Sequence, residues 1–218
     1  MARVVVIGAH GKVALLAAPL LREAGHEVTG VIRNPAHAAD VEASGATPLV
    51  ADVETLDTDG LRDVLAGQDV VVWSAGAGGG NPARTYAVDR DAAARAVDAS
   101  VPAGVRRFVM VSYFGAGPGH GVPEGDPFFA YADAKTAADA HLAASDLDWT
   151  ILRPSRLTDD PATGRVEAGP DARPGSVPRA DVGRVIASVV DHPDTTARRV
   201  IAFNGGPTPV DEVVAAQG

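Results

Sequence analysis

The opening stretch, RVVVIGAHGKVALLAAPLLRE from residue 3 onward, constrains the fold more than any other part of the chain. Its apolar, β-branched run suits a short strand buried on both faces. The run breaks at Gly8 and gives way to an amphipathic helix over 12–24 that stops at Gly25. Gly8, Gly11 and Ala14 follow the spacing G-x-x-G-x-x-A. Gly8 permits the tight turn, Gly11 lets backbone approach a ligand, and a small residue at 14 lets the helix pack on the strand. The helix N-terminus then offers free N–H groups and a positive dipole end, which suits a diphosphate. This context of strand, loop and helix points to nucleotide binding, the plain alternative being a strand-to-helix turn without a ligand.

The rest of the chain repeats the rhythm. Apolar runs at 27–32, 46–52, 69–75, 106–112 and 148–154 alternate with alanine-rich helical stretches near 36–44, 57–66, 83–100 and 128–145. Alternating strand and helix with right-handed crossovers predicts an α/β fold, a Rossmann-type doubly wound parallel sheet. After Pro154 the rhythm loosens. Residues 155–178 read as loop with a short strand at 164–168, followed by a helix near 180–191, a strand near 199–204 and a terminal helix near 209–216. The expected organisation is one domain over 1–218, with a core over 1–154 and a small C-terminal cap over 155–218 on the substrate side.

Composition narrows the function. The 218 residues carry a formal charge of −9 with no basic block, so nucleic acid is not an expected partner. There is no cysteine, which removes disulfides and thiolate metal sites, and the six histidines show no metal-binding spacing. The N-terminus has no secretory pattern and no stretch is long enough to span a membrane, so a cytoplasmic location is expected. Of 19 basic residues only Lys12 and Lys135 are lysine.

The candidate cofactor site follows from the fold. In the first loop, Gly8, His10, Gly11, Lys12 and Val13 stand at the helix mouth, where Lys12 either leans on a phosphate or is solvated. The second strand ends VIRNP, without the acidic residue that would take ribose hydroxyls. Arg33 there suits a 2′-phosphate and favours NADP over NAD, unless it is an exposed arginine that touches nothing. Asp52 and Val53 follow the third strand, Asp52 serving either the adenine amine or a helix entry. After the fourth strand, SAGAGGG (74–80) brings the backbone of Ala75 and Gly76 close to the cofactor. Lys135 and Pro154 complete the set.

Residues 131–135, YADAK, place Tyr131 and Lys135 on one helical face. An ammonium beside a phenol favours phenolate and lowers its pKa, which lets the tyrosine exchange a proton with a carbonyl or alcohol. Ser112 ends the fifth strand at the carboxyl edge, where its hydroxyl either orients a substrate oxygen or caps a loop. The Gly/Pro-rich loop 113–129, with aromatic ends, and the segment 155–178 are expected to wall the substrate. Arg156 would meet an anionic substrate group there or a surface carboxylate.

IGAHGKVA, RFVMVS, YADAK and DLDWTILRP, in this order, resemble the short-chain dehydrogenase/reductase superfamily, and DWTILRPSRLTDDPATGRV and PRADVGRVI resemble its atypical, NAD-dependent epimerase/dehydratase-like NAD(P)H-binding branch. The resemblance implies a nicotinamide cofactor and a proton apparatus at Ser112, Tyr131 and Lys135. The family usually adds an asparagine from the fourth helix, and the matching position here is Asp89. The expected function is an NADP-dependent oxidoreductase or epimerase/dehydratase-like enzyme acting on a small carbonyl or hydroxyl substrate. The alternatives are an NADP(H)-binding sensor without catalysis and a flavin or quinone reductase.

Overall fold

The computed structural model describes residues 1–78, 80–169 and 172–218. The first half alternates as the sequence pattern predicts. Strand β1 (Arg3–Ile7) leads to helix α1 (Lys12–Glu23), β2 (Glu27–Ile32), α2 (Ala38–Ala43), β3 (Thr47–Val50), α3 (Thr58–Leu65) and β4 (Val70–Trp73). One long helical stretch follows, made of α4 (Pro82–Thr85), a π-helical segment (Tyr86–Ala92) and α5 (Ala93–Ser100). Then come β5 (Arg107–Val111), α6 (Phe129–Ala143) and β6 (Asp148–Pro154). The C-terminal part adds β7 (Arg156–Thr158), β8 (Arg165–Ala168), β9 (Ser176–Pro178), α7 (Arg179–Asp191), α8 (Pro193–Thr196), β10 (Arg199–Gly205), β11 (Thr208–Pro209) and α9 (Val210–Ala215).

The main sheet runs β11-β8-β10-β6-β5-β4-β1-β2-β3. From β3 to β10 every pairing is parallel, while β8 pairs antiparallel with both β10 and β11. The chain leaves β1 towards β2 and β3, then returns to the other side of β1 as β4. That reversal opens a crevice at the carboxyl ends of β1 and β4, where doubly wound sheets bind their ligands.

Burial on both faces explains the unbroken apolar strands. Val4 and Val6 of β1 enter one core with Ala14, Leu21, Val185 and Ile186, whereas Val5 and Ile7 enter the other with Leu61, Trp73, Phe108 and Leu142. The C-terminal residues contribute to both sheet and site. β10 extends the parallel sheet beside β6, and α7 packs on α1. The short strands β7 and β9 pair separately, and β7 belongs to a stretch that the sequence pattern predicts as loop. At three residues each they carry too little pattern to be seen in sequence.

Arg107 ties this C-terminal part down. Its guanidinium donates to the carbonyls of Asp148 and Val189 and to the Thr196 hydroxyl. Burial lowers its pKa to about 10, against the opposing pull of the Asp148 carboxylate, so it stays charged at neutral pH.

Candidate active site

Two adjoining features build the site: a cavity at the β1/β4 crevice, and an aromatic one at the carboxyl ends of β5 and β6. The first has a volume of roughly 330 Å³. Its floor is the turn after β1. Gly8 adopts φ +85°, and a Cβ there would stand 2.6 Å from the Ala75 Cα. Only glycine allows both the backbone conformation and the approach of the β4 loop. Gly11 caps α1 without a side-chain cap bond, and no acidic residue lies in the first helical turn. The first-turn N–H groups therefore lack a side-chain competitor, and the residues present fit a diphosphate. Gly8→Ala is expected to cost about 1–3 kcal/mol in backbone strain, and more from the clash with Ala75. Calorimetry should show at least tenfold weaker nicotinamide-nucleotide binding.

Of the sequence candidates, Gly8, His10, Gly11, Arg33, Asp52, Val53, Ala75 and Gly76 line this cavity. Four others do not. Lys12 turns away to an exposed ion pair with Asp159, 2.9 Å long, which Arg179 also joins. The Val13 side chain is packed in the core, leaving only its backbone for a ligand. Lys135 is buried further along, and Pro154 lines the second cavity. Gly79, within the predicted glycine run, lies outside the described residues.

The sequence reading missed Asn34, His37, Glu54 and Arg84, all of which line the first cavity, as does Ser74 at the head of the predicted SAGAGGG run. His10 stacks on His37 with ring centroids 3.6 Å apart and meets Asp40 at 2.9 Å. Glu54 accepts from Arg33 at 3.3 Å and from Arg84 at 3.0 Å. Arg33 thus does touch a partner. Residues so far apart in the chain share no spacing rule, so no local pattern points to them. Asp52 accepts the Glu54 N–H, which shapes the loop after β3.

The YADAK pair lies on α6, one turn apart as predicted, but its electrostatics differ from the expectation. Lys135 is 3% exposed and Asp89 1% exposed, with Nζ and Oδ1 3.5 Å apart. Lys135 also donates to the Val111 carbonyl at 2.9 Å. Asp89, held in the π-helical segment, accepts the Ala77 N–H at 2.9 Å through its other oxygen. The carboxylate therefore offsets the ammonium that was expected to activate the phenol. Burial raises the Tyr131 pKa above its ordinary value of 10, Lys135 opposes that rise, and Asp89 and Asp139 add to it. Tyr131 is a protonated phenol at neutral pH, not a phenolate.

Ser112 also departs from its expected role. It is buried and borders neither cavity, and its Oγ donates to Asp139 at 2.9 Å. The same Asp139 oxygen takes Arg153 from β6 at 2.9 and 3.0 Å. In this arrangement the hydroxyl proton points to the carboxylate. Asp139 extends the Tyr131–Lys135 face by one turn, so its spacing was a visible signal. Burial raises its pKa, while Arg153 and Ser112 hold it down.

The second cavity has a volume of about 500 Å³. Tyr113, Phe128, Tyr131, Arg156, Leu157 and Pro174 are among its lining residues. Both predicted wall segments, 113–129 and 155–178, thus contribute residues to this cavity, and Pro170 and Asp171 of the second lie outside the described residues. A chain of contacts links the walls of the two cavities. Gly76 lines the first, Asp89 Oδ1 lies 3.0 Å from where a Gly76 Cβ would be, Lys135 meets Asp89, and Tyr131 lines the second.

Comparison with known proteins agrees with this fold. A family model described as NAD(P)H-binding matches residues 8–193. A Bacillus subtilis protein named as an uncharacterized sugar epimerase is 32% identical over 215 residues, covering 97% of this chain and 98% of its own. A Bacillus halodurans structure, provisionally described as an NAD-dependent epimerase/dehydratase, superposes with TM-score 0.90 and 32% identity over 99% of this chain and 100% of its own. An oxidoreductase from Lactococcus lactis superposes with TM-score 0.87 and 25% identity over 98% and 95%. No helix among the described residues is long and apolar enough to cross a membrane.

Proposed function

The chain belongs to the NAD(P)H-binding family, and from that premise we propose that it is an NADP-dependent reductase of the short-chain dehydrogenase type, acting on a carbonyl compound. Bound at the first cavity, the reduced cofactor supplies a hydride. One observation carries the reading: Tyr131 lines the second cavity, and Lys135, with its Nζ 5.9 Å from the Tyr131 ring centroid, meets Asp89 at the wall of the first. The Tyr131 phenol can donate its proton to the oxygen of a carbonyl as it becomes an alcohol. Lys135 and Asp89 hold the α6 face against the β4 loop. Ser112 positions Asp139 and Arg153 behind the site instead of touching substrate.

The reading is tested by NADPH oxidation against aldehydes, ketones, quinones, flavins and sugars, with wild type and Tyr131→Phe side by side. Turnover lost in the variant supports it. Turnover retained means direct hydride delivery to a flavin or quinone. The withdrawal of Ser112 from the cavity favours a second reading, an NADP(H)-binding protein without catalysis. NADPH binding with no turnover of any acceptor would establish that reading instead.

Arg33, with Asn34 and His37 beside it, supports NADP over NAD. A 2′-phosphate would take the place of Glu54 on the Arg33 guanidinium. Arg33→Ser should weaken NADPH roughly ten- to a hundredfold and leave NADH nearly unchanged. Equal losses for both cofactors in a calorimetric titration would remove the preference.

A further inference from the structure

We propose that the second cavity takes a flat aromatic or conjugated compound carrying an anionic group, in preference to a sugar. The inference rests on the reductase reading for its chemistry but not for its binding. The rings of Tyr113, Phe128 and Tyr131 all touch, with centroids 5.1 to 5.5 Å apart. Their planes meet at 88°, 50° and 46°, so they form a compact cluster, one aromatic wall and not a stack. Such a wall offers ring faces and edges to a flat ligand laid against it. Phe128 leaves 44% of its surface exposed.

Polar groups in the cavity are few. The Ser155 hydroxyl is spent on Asn204 and also accepts the Gly175 N–H. What remains on side chains is the Tyr131 hydroxyl and the Arg156 guanidinium, since the Tyr113 hydroxyl is itself buried. A sugar brings many hydroxyl groups and would leave most of them unpaired. A flat apolar body with one carboxylate matches the inventory: rings for the body and Arg156, the cation among the described lining residues, for the charge.

The test is calorimetric titration with 2-naphthoate, its neutral analogue 2-naphthamide, and glucose. Phe128 and Arg156 are both exposed, so Phe128→Ala and Arg156→Gln should fold normally, as circular dichroism would verify. The expected pattern is roughly tenfold preference for 2-naphthoate over 2-naphthamide, erased by Arg156→Gln, with both ligands weakened severalfold by Phe128→Ala. Absence of naphthalene binding, indifference to both substitutions, or glucose binding as tightly as 2-naphthoate would each overturn the inference. Because 2-naphthoate carries no aldehyde or ketone, its binding is read independently of turnover. Binding of 2-naphthoate with no NADPH oxidation by any acceptor of the panel, 6-formyl-2-naphthoate included, would sink the reductase reading and leave this one standing.

Discussion

Tyr131→Phe is expected to lower carbonyl turnover by roughly 10²- to 10⁴-fold, the range for losing a positioned proton donor, with NADPH affinity within about twofold of wild type. The phenylalanine keeps the ring contacts with Tyr113 and Phe128 and removes only the hydroxyl. Loss of kcat with binding intact therefore isolates the proton transfer. The pH profile gives a second readout. Burial is the largest influence on the phenol and raises its pKa, with Lys135 opposing and the two carboxylates adding to the rise. The donor is the protonated form, so the wild-type rate should hold level through neutral pH and decline only as the phenol ionises, above its ordinary value of 10. The residual activity of the variant should lack that alkaline decline. A wild-type rate that instead rose through neutral pH would mean the working form is phenolate, and that Lys135 outweighs burial.

Lys135→Met should destabilise the fold by about 3–5 kcal/mol, because it strands a buried carboxylate. Asp89 is 1% exposed, and its Oδ1 has Lys135 at 3.5 Å and no hydrogen-bond partner among the described residues. Adding Asp89→Asn removes the stranded charge while keeping an amide oxygen for the Ala77 N–H. The double variant should therefore recover most of the loss, and urea unfolding of the four proteins gives the coupling directly. A Lys135→Met variant as stable as wild type would show that Asp89 is not held by this lysine. The pair also sets the β4 loop through Ala77. The single variant should thus bind NADPH more weakly even under conditions where it remains folded.

The strands along the chain were legible from residue 3 onward because both faces of a parallel strand are buried, which leaves a run such as VVVI unbroken by polar residues. The glycine spacing was legible for a similar reason: at Gly8 the backbone conformation and the Ala75 contact both forbid a side chain. The C-terminal helix and strands at 179–191 and 199–205 were also readable from their patterns. β7 and β9 were not, since three residues show no period.

The site divides along the same line. Sequence by itself determined that the loops after the strands form the site, because strand and helix alternate; the reversal that sets β4 beside β1 is seen in the sheet order. Sequence also determined that Tyr131 and Lys135 share a helical face, because 3.6 residues per turn is a local rule. What each side chain does there was decided by tertiary structure. Asp89 reaches Lys135 across 46 positions and offsets the charge expected to activate the phenol. Asp139 and Arg153, from α6 and β6, take the Ser112 hydroxyl away from any substrate. A pKa and a hydrogen-bond direction depend on burial and on charges within a few ångströms. Those neighbours come from other segments of the chain, and no spacing along the sequence encodes them.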